Sequence, residues 1–316
     1  GIGLAALGRP GYINIGHADD LAGDYSVVEM EARAHALLDA AYEGGIRYFD
    51  AARSYGRGEA FLGSWIQARG LSPDGVVVGS KWGYTYTAGW RVDAEVHEVK
   101  EHSVSVLQRQ WAESSAILGS HLDLYQIHSA TLDSGVLENE EVLAELARLK
   151  ANAGVAIGLT VSGARQGPLV DQAIQIEIDG VRLFDSVQAT WNLLERSAGP
   201  ALARAHAAGL GIIVKEALAN GRLTDRNSDT RFERQMAILQ SEARRLETSI
   251  DGLALAGVLA QPWADVVLSG AARVDHLASN LAALNVAWDD EAADRLEELT
   301  ELPENYWAER GELDWN

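Results

Sequence analysis

Asp50, Tyr55, Lys81 and His128 are the side chains of this sequence whose types combine into a chemistry. A free phenol titrates near pH 10, roughly three units too high for easy proton exchange at neutrality. A lysine ammonium beside it favours the phenolate and lowers that value, and a carboxylate keeps the lysine charged and aimed. An imidazole nearby hydrogen-bonds either a substrate oxygen or the phenol. The set reads as a tuned tyrosine acid/base for a carbonyl/alcohol pair. It holds no nucleophile with its base and no metal-ligand spacing such as H-x-x-x-H, so no metal site is expected. Each residue also has a plain structural reading: a strand-end or ion-pairing Asp50, a rim Tyr55, a rim cation at Lys81, a core histidine at His128. What weighs against four such coincidences is where the residues fall.

All four sit at or just past the ends of short apolar runs. Ile46 to Phe49 reads as a buried strand that ends on Asp50, delivers Tyr55 into the following loop, and leads to a helix from Ala60 to Gln67. The same beat recurs along the chain. Strands are predicted at Ile2–Leu7, Val76–Lys81, Leu122–His128, Val155–Thr160, Ser186–Thr190, Gly211–Lys215 and Val266–Leu268. Helices are predicted at Glu29–Tyr42, Glu95–Leu118, Glu140–Ala153, Pro168–Ile178, Pro200–Ala208, Ile250–Ala260 and Val274–Leu284, with a polar insertion at Thr224–Glu247. Eight strand–helix units predict an α/β fold, a (β/α)8 TIM barrel with a parallel closed sheet. A doubly wound sheet would want G-x-G-x-x-G after its first strand, and Gly8-Arg-Pro-Gly11 does not match. In a barrel, chemistry gathers at the carboxyl ends of the strands. Asp50, Lys81 and His128 then end strands two, three and four, and neighbouring strands lie about 4.8 Å apart.

Composition narrows the partners. The 316 residues carry 26 basic and 46 acidic side chains, a formal charge of −20, with no Lys/Arg run. That charge repels nucleic acid and acidic membranes and leaves a small molecule as the expected partner. No apolar run approaches the roughly 20 residues of a membrane span, and no heptad seam appears. The absence of cysteine excludes disulfides and suits a reducing cytoplasm. The expectation is one cytoplasmic barrel domain over residues 1–316 with an acidic tail from about residue 285, its oligomeric state left open.

At this point the chain resembles the aldo-keto reductases, NAD(P)H-dependent (β/α)8 oxidoreductases. The resemblance runs through Gly45–Glu59, which fits the family pattern G-x-x-x-F-D-x-A-x-x-Y-G-x-x-E, then Ser80-Lys81-Trp-Gly83 and Leu124-Tyr-Gln-Ile-His128. It continues through Gly158–Gly163, Gln188–Leu194 and Leu268–Leu281, covering nearly all of Gly3 to Leu284. It implies Tyr55 as general acid/base, Lys81 and Asp50 as its tuners, and His128 as the group that orients the carbonyl. It also implies that Ser162 and Gln188 contact a nicotinamide carboxamide. The substrate is then an aldehyde, ketone or sugar carbonyl interconverted with its alcohol, in a direction the sequence does not set.

Several positions depart from the pattern. Ser162 is followed by Gly163 where the family usually has Asn. The family's Y-S-P-L-A-x-G-x-L is here Lys215-Glu-Ala-Leu218-Ala-Asn-Gly221-Arg-Leu223, so the loop survives without its stacking ring. Lys215 then reaches a pyrophosphate or substrate, or forms a rim ion pair with Glu216. Ser269, Gly270, Arg273, His276 and Asn280 fall in the loop and helix start that bind the phosphate end, with Arg273 as the one firm cation. By family habit NADP(H) is favoured, with NAD(H) the alternative. Trp82, Trp90 and Trp191 are candidate walls of an apolar substrate pocket, against ordinary rim packing. Trp307 or Trp315 folds over the site as a lid or packs on the barrel wall. The family's bottom hairpin before strand one is either outside this chain or absent from it. Two rival functions remain: a non-catalytic, cofactor-sensing barrel subunit bound to a protein partner, favoured by the lost ring, and a hydrolase using Asp50 and His128, which leaves Tyr55 and Lys81 idle.

Overall fold

The computed structural model describes every residue from Gly1 to Asn316. Eight parallel strands follow in chain order: β1 (Ile2–Gly3), β2 (Tyr48–Asp50), β3 (Val77–Trp82), β4 (Leu122–Ala130), β5 (Ala156–Val161), β6 (Ser186–Thr190), β7 (Gly211–Lys215) and β8 (Val266–Val267). The sheet closes on itself just past β8, where Gly3 N donates to Ser269 O and Ser269 N to Gly1 O, both at 2.9 Å. The helices that follow the strands are α1 (Val27–Glu43), α2 (Gly58–Arg69), α3 (Val104–Leu118), α4 (Glu140–Ala153), α5 (Gln166–Ile174), α6 (Gly199–Ala207), α7 (Ile250–Leu259) and α8 (Val274–Ala282). The fold is the expected (β/α)8 barrel.

Strand alternation decides what each side chain faces. On β2, Phe49 points outward and packs its ring 5.1 Å from that of Trp65 on α2. There Phe61, Leu62, Trp65 and Ile66 are buried together, each side chain contributing about 1.5–3 kcal/mol. Tyr48 and Asp50 point inward. Tyr48, Leu124, Ile213 and Leu268 form an apolar plug across the barrel. Two residues further along, β2, β4 and β7 carry Asp50, Gln126 and Lys215, so one pleat step separates an apolar floor from a polar layer.

Three segments differ from expectation. The first strand stops at Gly3, because the chain turns at once, with Leu7 N and Gly8 N both bonded to Leu4 O. Gly8 there lies against the β2 loop, where a Cβ would meet Tyr55 O at 2.1 Å. The expected helix from Glu95 begins only at Val104, capped by Ser103; Glu98–Lys100 instead pairs with Tyr84–Tyr86 as a hairpin. The expected helix to Ile178 ends at Ile174, and Asp179-Gly180, both at positive φ, turns a small hairpin between Glu177–Ile178 and Val181–Arg182. The polar insertion after β7 holds a further helix, Glu233–Arg245, and the tail holds two, Asp290–Glu297 and Pro303–Gly311. No helix is long and apolar enough to cross a membrane.

Candidate active site

Asp50 is the hub of the polar layer. Its Oδ1 accepts from Tyr48 Oη (3.0 Å), Gln188 Nε2 (2.9 Å) and Gln126 Nε2 (3.4 Å). Its Oδ2 pairs with Lys81 Nζ. The glutamines come from β4 and β6, so Asp50, Gln126 and Gln188 form one layer drawn from alternate strands. Lys81, wholly buried, also donates to Ala51 O (2.9 Å) and to Tyr55 Oη (3.3 Å). His128 sits where β4 breaks register between Ile127 and Ala130, a bulge that turns the chain at the barrel mouth. Its ring lies 5.6 Å edge-on from that of Tyr55, and Ser54 Oγ is 3.5 Å from its Nδ1. The structure therefore brings Asp50, Tyr55, Lys81 and His128 together.

The loop that presents Tyr55 is pinned from below. Glu59 accepts from Ser114 Oγ (2.7 Å) and Ser80 Oγ, and pairs with Arg53, which reaches on to Glu113. Gly56, at φ +57°, passes so close to Gly8 that a Cβ would lie 2.5 Å from Gly8 O. That contact explains a glycine beside the tyrosine.

The electrostatics correct one expectation. Burial, then the charge of Asp50, pushes the Tyr55 phenol well above its usual value, with Arg9 opposing. Lys81, paired with Asp50, does not reverse that rise; burial in turn pulls Lys81 down against Asp50's support. Burial, with Lys81, Lys215 and Arg9 nearby, holds His128 well below its usual value, so the imidazole is neutral. The site presents a protonated phenol and a neutral imidazole.

Asp50, Tyr55 and His128 open onto a cleft of about 820 Å³ that runs across the barrel mouth to the start of α8. Of the other predicted residues, Gln188, Lys215, Leu218, Gly221, Ser269, Gly270, His276 and Asn280 line it. Ser162 lies just beneath, its Oγ donating to Ser129 Oγ (3.2 Å) and accepting from Lys215 Nζ (3.3 Å). Arg273 does not line the cleft; it is exposed and turned back onto Asp275, with both bonds at 2.9 Å. Lys215 makes no ion pair with Glu216. It donates to Thr190 Oγ1 (3.0 Å) and Ser162, and burial lowers it to about 8. Glu216 is taken by Arg310 of the tail, both Nε contacts at 3.0 Å. Burial pushes Glu216 up, but Arg310 and Lys215 more than offset it and hold it at about 2.

The three tryptophans proposed for the pocket lie elsewhere. Trp82 follows inward-facing Lys81, so alternation turns it outward, where it is buried edge-on to His102. Trp90 donates to Tyr25 O (2.6 Å), and Trp191 packs 5.6 Å from Trp263. The tryptophan that lines the cleft is Trp315, stacked on His97 at 4.0 Å, while Trp307 packs against Tyr306. Arg9, missed in the sequence because it sits in an irregular turn, is nearly buried beside Tyr55. It donates to Ser54 O (3.0 Å) and Glu98 (2.9 Å), with its guanidinium 4.7 Å from the Trp315 ring. No group of three or more His, Asp or Glu side chains is placed to hold a metal ion.

A closed parallel barrel with a cluster of titratable groups at its carboxyl end suits many chemistries, and comparison with known proteins narrows them. A sequence model of the aldo/keto reductase family matches residues 20–301, and the chain belongs to that family. It is 26% identical over 287 residues to the uncharacterised oxidoreductase YqkF of Bacillus subtilis (strain 168), covering 83% of this chain and 86% of the relative. It is 25% identical over 276 residues to norsolorinic acid reductase of Aspergillus flavus, covering 83% of this chain and 70% of that one. Among solved structures, the holo form of aldo-keto reductase AKR11C1 from Bacillus halodurans superposes with a TM-score of 0.72 at 19% identity, covering 96% of this chain and 92% of that one. At that identity the likeness speaks for the fold. A putative aldo-keto reductase from Pseudomonas aeruginosa gives 0.61 at 25% identity, covering 93% and 89%.

Proposed function

We propose that this chain is an NAD(P)H-dependent oxidoreductase that interconverts an aldehyde, ketone or sugar carbonyl with its alcohol, using Tyr55 as general acid/base. The observation that carries this reading is the chain of contacts from Asp50 through buried Lys81 to the Tyr55 hydroxyl, 3.3 Å away, at the wall of an open cleft. The donor set of the cleft suits a nicotinamide dinucleotide. It offers the Gln188 amide and Lys215 near Tyr55, then bare backbone at Gly270, where a Cβ would meet nothing within 4 Å, leading into the α8 start. Gln188, Lys215, Leu218, Gly221, Ser269, Gly270, His276 and Asn280 would hold it, and the cofactor when bound supplies or accepts the hydride.

The residues of the chain do the rest. Tyr55, kept protonated by burial and Asp50, gives its proton to the carbonyl oxygen as negative charge develops there. An alkoxide is far more basic than a phenolate, so a high phenol pKa does not impede that transfer. Lys81, 3.3 Å away, stabilises the phenolate left behind, and Asp50 holds Lys81 in place. Neutral His128 donates a hydrogen bond to the same oxygen and fixes its approach. Run backwards, the same groups take a proton from an alcohol. Relatives bearing the names norsolorinic acid reductase and pyridoxal 4-dehydrogenase are in keeping with either direction.

The deciding variant is Tyr55→Phe, which removes one oxygen and little else. Turnover of a carbonyl panel should fall by about 10³-fold or more, while cofactor titration followed by tryptophan fluorescence stays within about twofold of wild type. Undiminished turnover in this variant removes the assigned mechanism.

A further inference from the structure

The cleft has two ends, and only one of them can receive the reacting ring, because Tyr55 and His128 lie there. On the reading proposed above, the adenosine of the cofactor must occupy the other end, beyond Gly270. The side chains at that end are acidic. Asp20, Asp225 and Asp251 face the space against one permanent cation, Arg226, and His276. Arg226 is already committed to Asp20, with contacts of 2.6 and 3.0 Å, and also donates to Gly16 O at 3.2 Å. Arg273 is turned away onto Asp275.

Asp251 is placed to be read by a ligand. It sits in the first turn of α7, after the Ser249 cap, and its Oδ2 accepts from Ser279 Oγ of α8 at 2.6 Å, leaving Oδ1 without a protein partner. One turn on, Leu255 lines the same cleft, so the wall sets an apolar surface beside a free carboxylate oxygen. That pairing suits a base and a ribose: the ring lies on Leu255 and the ribose hydroxyl donates to Asp251. A 2′-phosphate would bring roughly two negative charges against the same oxygen. Acids accept the ribose hydroxyl in NAD sites, and arginines receive the phosphate in NADP sites.

We propose that the distal end of the cleft selects a free ribose 2′-hydroxyl over a 2′-phosphate, so that this chain binds NAD(H) in preference to NADP(H), with Asp251 as the deciding residue. This reverses the preference that family habit suggests.

The test is a titration of the purified protein with NADH and with NADPH at one salt concentration, followed by tryptophan fluorescence and by calorimetry. NADH should bind about tenfold or more tighter than NADPH, a gap that one uncompensated charge contact supplies. Asp251→Asn, which keeps the shape and removes the charge, and Asp251→Ser should each narrow the gap, chiefly by improving NADPH. Equal or tighter binding of NADPH by the wild type overturns the inference and leaves the proposed function standing. An unchanged ratio in both folded variants also overturns it, since the selection would then not lie in Asp251. Binding of neither cofactor overturns the proposed function itself.

Discussion

The two ends of the cleft are built by different means. At the Tyr55 end, the working atoms come from inward-facing strand positions, except the Tyr55 phenol, which stands on a loop pinned through Glu59, and both oxygens of Asp50 are taken by residues of β2, β3, β4 and β6. At the Asp251 end, they come from loops and first turns of helices, and charges settle on near neighbours: Arg226 on Asp20, Arg273 on Asp275. A strand position cannot slip without moving a whole face of the barrel. A loop or helix-start side chain can be exchanged with little consequence for packing. Geometry that must stay fixed is therefore built on the strands or tied to them, and charge that can be exchanged stands on the loops.

Lys81→Met tests the rigid side of that contrast and should have the largest effect. It leaves Asp50 buried without its cation, a change costing about 3–5 kcal/mol, and it removes the support for Tyr55, lowering turnover by about 10²–10⁴-fold. Adding Asp50→Asn should restore much of the stability and none of the turnover. Thermal melts and steady-state kinetics on the single and double variants separate the two roles. If Lys81→Met is as stable as the wild type, the strand end is no more constrained than the loop end and the contrast fails.

Glu216→Gln probes the junction between barrel and tail. Glu216 follows β7 at φ +57° and holds Arg310 of the tail helix. The variant leaves Arg310 half-buried and unpaired, for a loss of about 3 kcal/mol near neutral pH. The sign of its pH dependence follows from a folded value of about 2 against an unfolded one of 4.5. The stabilisation is fully present above pH 4.5 and is lost as pH falls through about 2. Melts of wild type and variant should differ most at pH 5–7 and converge toward pH 2.

What the sequence made legible follows the same division. Ile46–Asp50 and Leu122–His128 announce themselves because a short apolar run ending on a charged or titratable residue suits the inner strand of a barrel and little else. The same alternation, applied residue by residue, would have excluded Trp82, which follows an inward lysine. Gln126 was within reach too, two residues before His128 on the same face. Arg9, Asp20, Arg226 and Arg310 were not. They are brought to the cleft by irregular turns and by a tail that crosses the whole chain, as in the paired backbone bonds between Tyr12 and Asn316. No local pattern encodes that meeting. The sign of the Tyr55 shift was missed for a related reason: the sequence supplied the lysine, and only the fold shows the burial that raises the phenol together with Asp50's charge.

Arg273→Ala should have the smallest effect, and it sharpens the comparison most at the loop end. By family pattern this arginine holds the phosphate end of the cofactor; in the fold it lies outside the cleft, 46% exposed at its side chain, with its guanidinium on Asp275. An exposed pair two residues apart contributes little to stability. Nothing in the cleft loses a partner when it goes. Affinities for NADH and NADPH should therefore each stay within about twofold of wild type, in the same titration that detects the Asp251 effect. A selective loss of NADPH binding in Arg273→Ala would mean that the guanidinium leaves Asp275 for a 2′-phosphate when one is offered. The loop end would then be a site that assembles on its ligand, and its resting charge pattern would no longer predict its preference. Unchanged binding leaves selection with Asp251, and the division between strand-built chemistry and loop-built charge holds across the whole cleft.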